Sequence, residues 1–169
     1  MAPEAILITG ANGSGKTTFA RQFLPVLYPG IPFLNVDEIQ REDTENDSAV
    51  AAGRILMRQL ADLERQKQSF GIETTLSSRM YAKRIPLWKE NQYWTILHFI
   101  EVPSDDYAVH RVALRVSAGG HSIPEADIRR RYLRGLTFFH EVYKPLVDQW
   151  YHWFSDDGGL RLVEHHRKT

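Results

Sequence analysis

The 169-residue chain contains no cysteine. A disulfide framework and a thiolate zinc site are therefore excluded, and the absence fits a reducing compartment. Net charge is also missing: 21 lysines and arginines balance 21 aspartates and glutamates. No overall basicity marks the chain as a general nucleic-acid binder. No apolar run approaches the roughly 20 residues needed to cross a bilayer. The stretch from Met1 to Ile8 is too short for the apolar part of a secretion signal and has no basic start. These absences predict a cytoplasmic protein.

What remains is ordinary globular material, 43% hydrophobic and 25% charged, of a length that suits one domain over residues 1–169. Apolar runs at Ala5–Ile8, Phe33–Val36, Phe70–Thr75, Trp94–Ile100, Trp150–Phe154 and Leu160–Glu164 read as strands. Between them lie helical patterns over Lys16–Leu27, Ala49–Gln68, Ser78–Asn91 and the stretch after Pro103. Another begins at Pro124, with Ile128, Tyr132, Leu136, Phe139, Tyr143 and Leu146 at spacings of three and four. Arg41–Ser48 is polar and reads as a loop or frayed helix start, and the basic tail from His165 as frayed. Alternating strands and helices predict an α/β fold, a mostly parallel sheet of about five strands covered by helices on both faces. Ligands in such folds bind beyond the C-terminal strand ends.

At one such end stands Gly10-Ala11-Asn12-Gly13-Ser14-Gly15-Lys16-Thr17, which satisfies the whole G-x-x-x-x-G-K-[ST] pattern, the Walker A or P-loop motif, between a strand and a helix. Glycines let successive N–H groups curl inward around phosphate oxygens, and the helix start adds partial positive charge. Lys16 reaches the β- and γ-phosphates, and Thr17 offers its hydroxyl to Mg²⁺. Thr18 either touches the α-phosphate or is simply a helix residue beside the loop. The motif predicts ATP with Mg²⁺ as the bound nucleotide and metal.

Two acids fall at other strand ends. Asp37 follows the second strand, where a carboxylate can orient an acceptor hydroxyl and take its proton; the alternative is a helix N-cap. Glu73 closes Phe70-Gly71-Ile72 and can bind substrate hydroxyls or a water on the metal. Thr75 and Ser77 share that rim as substrate contacts or caps. Residues 111–134 carry Arg111, Arg115, Arg129, Arg130, Arg131 and Arg134, with two glycines and Pro124 between two helices. The planar guanidinium fork suits phosphate, and the segment reads as a lid that closes over the triphosphate. Arg111 and Arg115 are expected on the nucleotide, Arg129 and Arg130 on the substrate, with His121 as a further substrate or loop-closing contact.

These motifs together resemble the zeta-toxin family of P-loop kinases. The resemblance runs through Gly10–Thr18, Asp37, Phe70–Ser77, Arg111–Val116, Gly119-Gly120-His121-Ser122-Ile123-Pro124 and Asp127–Tyr132. It implies a nucleotide-kinase-like fold, Asp37 as the base that activates the acceptor hydroxyl, and Glu73 as a holder of a sugar-containing substrate. Arg115 would be one of the lid arginines clamping phosphate. It also implies UDP-N-acetylglucosamine or a related sugar nucleotide as acceptor, and an antitoxin protein that blocks the nucleotide site. The chain departs from the family at Asn35-Val36, where toxic members usually have asparagine and proline before the acid, and at Ser155-Asp156-Asp157-Gly158. The leading expectation is an ATP-dependent kinase acting on a small hydroxyl compound. Against it stand a nucleic-acid end kinase and a nucleotide-dependent switch without an acceptor.

Overall fold

The computed structural model describes residues 2–42 and 48–169. The first apolar run becomes β1 (Glu4–Gly10), buried from Ala5 onward. Strand alternation sends Ala5 and Leu7 into one core and Ile6 and Ile8 into another, as a central parallel strand requires. β1 pairs in parallel with β3 (Phe70–Thr74) on one side and β4 (Trp94–Glu101) on the other. Beyond these lie β2 (Phe33–Leu34) and β5 (Gln149–Asp156), also parallel. β6 (Gly159–Arg167) returns antiparallel to β5. The six-stranded order is β2-β3-β1-β4-β5-β6. The chain therefore leaves β1 in one direction and resumes at β4 in the other, which opens a crevice beyond the C-terminal end of β1.

Helix α1 (Lys16–Leu27) sets Phe19, Ala20 and Leu24 against Ile6, Ile8, Ile96 and Ile100 on one face of the sheet. On the other face α3 (Ala49–Arg65) buries Leu56 and Leu60, and α4 (Met80–Glu90) buries Tyr81, Ile85 and Trp88, around Leu7, Ile72 and Leu97. Each such aliphatic side chain contributes about 2 kcal/mol on leaving water. A third, smaller core joins α5 (Asp105–Ser117) and α6 (Glu125–Phe138) to the loop after β1 through Ala11, Val102, Ala108, Val112 and Ile128. Among the described residues no helix is long and apolar enough to cross a membrane.

Four local expectations change. The second strand stops at Leu34, because Asn35 Oδ1 accepts the Asp37 N–H at 2.8 Å and opens α2 (Val36–Glu42). Asp37 thus lies in the first turn of a helix, and its neighbour Asn35 is the capping residue. The tail does not fray at His165: β6 runs to Arg167, whose guanidinium lies over the Trp94 ring, and the Lys168 N–H donates to Asp148 O at 2.8 Å. The helix expected from Pro124 past Leu146 is broken: α6 passes through a π-helical turn (Phe139–Tyr143) into the short α7 (Lys144–Leu146). Pro145 cannot donate a ladder bond there, and the wider turn leaves Phe139 and Tyr143 fully buried. Helix α3 ends at Arg65, short of the expected Gln68. The polar stretch at 41–48 lies partly outside the described residues.

One buried group ties stability to pH. His98 on β4 is 1% exposed and stacks on Tyr151. Trp153 Nε1 donates to its Nδ1 at 3.2 Å, so the proton sits on Nε2 and is donated to Tyr28 Oη at 2.9 Å. Burial lowers its pKa from 6.5 to about 3. The unfolded chain takes up this proton near the ordinary value while the folded one refuses it. Stability present above pH 6.5 is therefore lost on acidification, at about 1.4 kcal/mol per pH unit until about pH 3. Urea midpoints measured from about pH 7 down to about pH 4.5 should fall less for His98→Gln, which keeps a donor and an acceptor but does not titrate. Equal falls in the two proteins would contradict this assignment.

Candidate active site

The loop after β1 is fixed by contacts that leave no room for a side chain at Gly10 or Gly13. A Cβ on Gly10 (φ +147°) would stand 2.4 Å from Ile100 O, and one on Gly13 (φ +80°) 2.8 Å from Ala108 O. The loop is thus pressed between β4 and α5, and its Ser14 N–H donates back to Ala11 O at 3.2 Å. α1 starts directly after it at Lys16, so the positive end of that helix meets the loop.

Lys16 is 7% exposed, and its Nζ donates to Ala11 O at 2.8 Å, its one hydrogen bond among the described residues. Burial pushes its pKa down, against the opposing fields of Glu73 and Asp37. An ammonium has three protons to donate; here it is desolvated with one carbonyl for company. Beside it, Ser14 Oγ is buried without any hydrogen-bond partner. A buried cation and an orphaned hydroxyl in one concave turn are costly unless an anion with several oxygens completes them.

Thr17 Oγ1 lies 3.0 and 3.1 Å from the two oxygens of Glu73, at the end of the strand next to β1. Asn35 Nδ2 donates to the same carboxylate at 2.7 Å. Burial raises the Glu73 pKa, with Lys16 and the Thr17 hydroxyl pulling it back. Asn35 is 3% exposed. It joins Glu73 to the Asp37 backbone and so fixes one acid relative to the other. Along the strand ends from β2 to β4 the order is therefore Asp37, Glu73, Lys16 with Thr17, then the arginines of α5.

Lys16, Thr17, Asn35, Asp37 and Glu73 open on one cavity of about 1070 Å³. Its wall includes Asn12, Gly13, Gly15, Lys16, Thr17 and Thr18, the acids Asp37 and Glu73, and the rim residues Thr75 and Ser77. Three arginines reach it from the helical hairpin: Arg111, Arg115 and Arg131. Arg131 Nη1 donates to Asn12 Oδ1 at 3.3 Å, Arg111 Nη1 to Tyr107 Oη at 3.3 Å, and Arg115 Nη2 to the His121 carbonyl at 3.2 Å. None of these guanidiniums is neutralised by a carboxylate among the described residues.

No family model matches the chain. A protein of Haemophilus influenzae, described as uncharacterized, is 28% identical over 138 residues, spanning 78% of this chain and 94% of its own. A chain from the PezAT chromosomal toxin–antitoxin system of Streptococcus pneumoniae superposes with a TM-score of 0.75 at 18% identity, over 96% of this chain and 72% of that one. A chain from the complex of AvrRxo1-ORF1 and -ORF2 with ATP gives a TM-score of 0.76 at 18% identity, over 96% of this chain. The present chain spans 58% of that larger one. The chain thus shares the fold of these two solved chains over 96% of its length.

Within this fold the hairpin α5–α6 stands where a lid was expected, already packed on the phosphate loop through the third apolar core. Not every residue expected to touch substrate lines the cavity. Arg129 leaves the cavity wall and is held by Asp105, Asp106 and Glu125 at 2.7–2.8 Å, which raises its pKa further. It fastens the start of α6 to the start of α5. Arg130 pairs with Asp127 at 2.7 Å on the outer side. His121 gives its carbonyl to Arg115, and its side chain is exposed and off the wall. Gly10, Ala11 and Ser14 shape the loop from behind. Four further residues line the cavity to which the sequence alone assigns no role: Asn35, Arg131, and the two arginines of α3, Arg54 and Arg58.

The donor set fits a nucleoside triphosphate with Mg²⁺. The Lys16 ammonium, with one carbonyl partner, and three unneutralised guanidiniums are suited to polyphosphate, and Thr17 with Glu73 offers oxygen ligands for a hard cation and its water.

Proposed function

We propose that the protein transfers the γ-phosphoryl group of ATP to a hydroxyl of a small molecule in the cytoplasm. The observation that carries this reading is the buried Lys16 ammonium, held by a single carbonyl at the mouth of the glycine cradle. Loop amides and Lys16 would hold the β- and γ-phosphates, with Arg111, Arg115 and Arg131 closing over them. Mg²⁺ would be held by Thr17 and by Glu73 through water, and when bound it supplies neutralisation of the phosphate oxygens.

Asp37 faces the same cavity one strand beyond Glu73, close enough to Lys16 for its charge to be felt there. Its carboxylate orients the acceptor hydroxyl and takes its proton as the oxygen bonds to the γ-phosphorus. The bond from that phosphorus to the bridging oxygen breaks, and ADP leaves. The packed hairpin keeps bulk water from the reacting phosphorus, so transfer to the acceptor outruns hydrolysis.

A sugar nucleotide such as UDP-N-acetylglucosamine is the acceptor this reading favours. Support comes from the resemblance of Asp37 and Glu73 to the acids of the zeta-toxin family and from their place in one cavity wall. The likeness to a chain of a toxin–antitoxin system supports an antitoxin protein as partner. The test is incubation of the protein with γ-labelled ATP, Mg²⁺ and a metabolite extract, followed by mass analysis of labelled products. One labelled hydroxyl compound, absent when Asp37→Asn replaces the parent, is the expected result. Tight ATP binding with no labelled product would replace the kinase with a nucleotide-dependent switch.

A further inference from the structure

The cavity is charged at both ends. Its β4 end carries the hairpin arginines, its middle the acids Glu73 and Asp37, and its far wall is the face of α3. Leu56 and Leu60 anchor α3 in the core beside Leu34 of β2. That anchoring turns Val50, Arg54, Met57 and Arg58 toward the cavity, opposite Met80 and Tyr81 of α4. Arg54 and Arg58 are one helical turn apart on the same face. Both are exposed, and neither makes an ion pair or hydrogen bond among the described residues. Two like charges in that arrangement repel, and nothing within the described protein repays the cost.

We propose that Arg54 and Arg58 are specificity-determining residues that bind an acid group, phosphate or carboxylate, carried by the acceptor itself. This rests on the kinase reading above. The triphosphate is drawn to the β1–β4 end by Lys16 and the hairpin arginines, and the two carboxylates repel it from the middle. An acceptor places its hydroxyl at Asp37. Any acid group it bears is repelled by the same carboxylates and finds compensating charge at α3. Guanidinium forks bind such groups through paired charge-assisted hydrogen bonds. Met57, Met80, Tyr81 and Val50 give the remainder of the molecule an apolar wall, with methionines that adapt to its shape. A neutral sugar or alcohol would leave both arginines unused.

The test divides the metabolite extract on an anion exchanger at neutral pH into retained and unretained pools. Each pool is incubated with the protein, γ-labelled ATP and Mg²⁺. Label is expected in a product from the retained pool, and its mass identifies the acid group as phosphate or carboxylate. The double variant Arg54→Ala/Arg58→Ala should raise the KM for that acceptor by about tenfold per arginine, with nucleotide affinity unchanged as the check on folding. Arg54→Lys/Arg58→Lys should recover part of the loss. Label arising from the unretained pool, or an unchanged acceptor KM in the alanine variant, overturns the assignment while leaving the kinase reading intact. Label in neither pool, with ATP still bound, overturns the kinase reading and this inference with it.

Discussion

Lys16→Met is expected to abolish phosphoryl transfer, by about a thousandfold or more, without loosening the ligand-free protein. The two halves of that result have one cause. In the ligand-free fold the ammonium is buried at 7% exposure with Ala11 O as its single partner. Desolvation works against it, and its pKa is lowered accordingly. Methionine fills nearly the same volume and removes the buried charge. It forfeits one hydrogen bond, so folding stability should stay within about 1 kcal/mol of the parent. ATP, by contrast, loses the cation that faces its terminal phosphates. Urea midpoints and steady-state kinetics on the same preparation check both halves. A variant much less stable than the parent would make Lys16 a structural residue rather than one held ready for an anion.

Asp37→Asn should separate binding from chemistry. The substituted residue keeps its place, because Asn35 Oδ1 holds the backbone N–H of residue 37 rather than its side chain. The amide cannot accept the acceptor's proton. Transfer should fall by about a hundredfold to ten-thousandfold, while affinity for ATP changes little, since the nucleotide is held by the loop and the hairpin. Rates in the presence of acceptor, set beside nucleotide titrations, read the two effects separately. If kcat survived, the proton would have to leave by another route, and Glu73 would be the next candidate by position.

The phosphate loop was legible because its pattern prescribes a backbone shape, and that shape needs little from the rest of the chain. The parallel sheet was legible for a related reason: doubly buried strands such as Ala5–Ile8 and Trp94–Ile100 stand out as continuous apolar runs. Helix phase was not legible. Arg129 and Arg131 are two residues apart, roughly 200° around the helix, and composition cannot say which of them faces the loop. The answer depends on Ile128, whose burial beneath α5 turns Arg131 inward and leaves Arg129 to the acids at the hairpin's base. The role of Asn35 is not legible because it depends on Glu73 on the neighbouring strand and on a helix that starts two residues earlier than an Asp37 cap predicts. His121 shows the reverse error: the side chain drew attention, and the carbonyl makes the contact.

The Lys16 ammonium and the three hairpin guanidiniums line one end of the same cavity. They form a receptor for a chain of phosphates, and the number of phosphates should set the affinity. Calorimetric titration of the parent protein with ATP, ADP and AMP, each with Mg²⁺, measures this directly. Affinity should fall stepwise as phosphates are removed, with AMP at least about a hundredfold weaker than ATP, or about 3 kcal/mol. Equal affinity for AMP and ATP, or no binding of any of the three, would contradict the account.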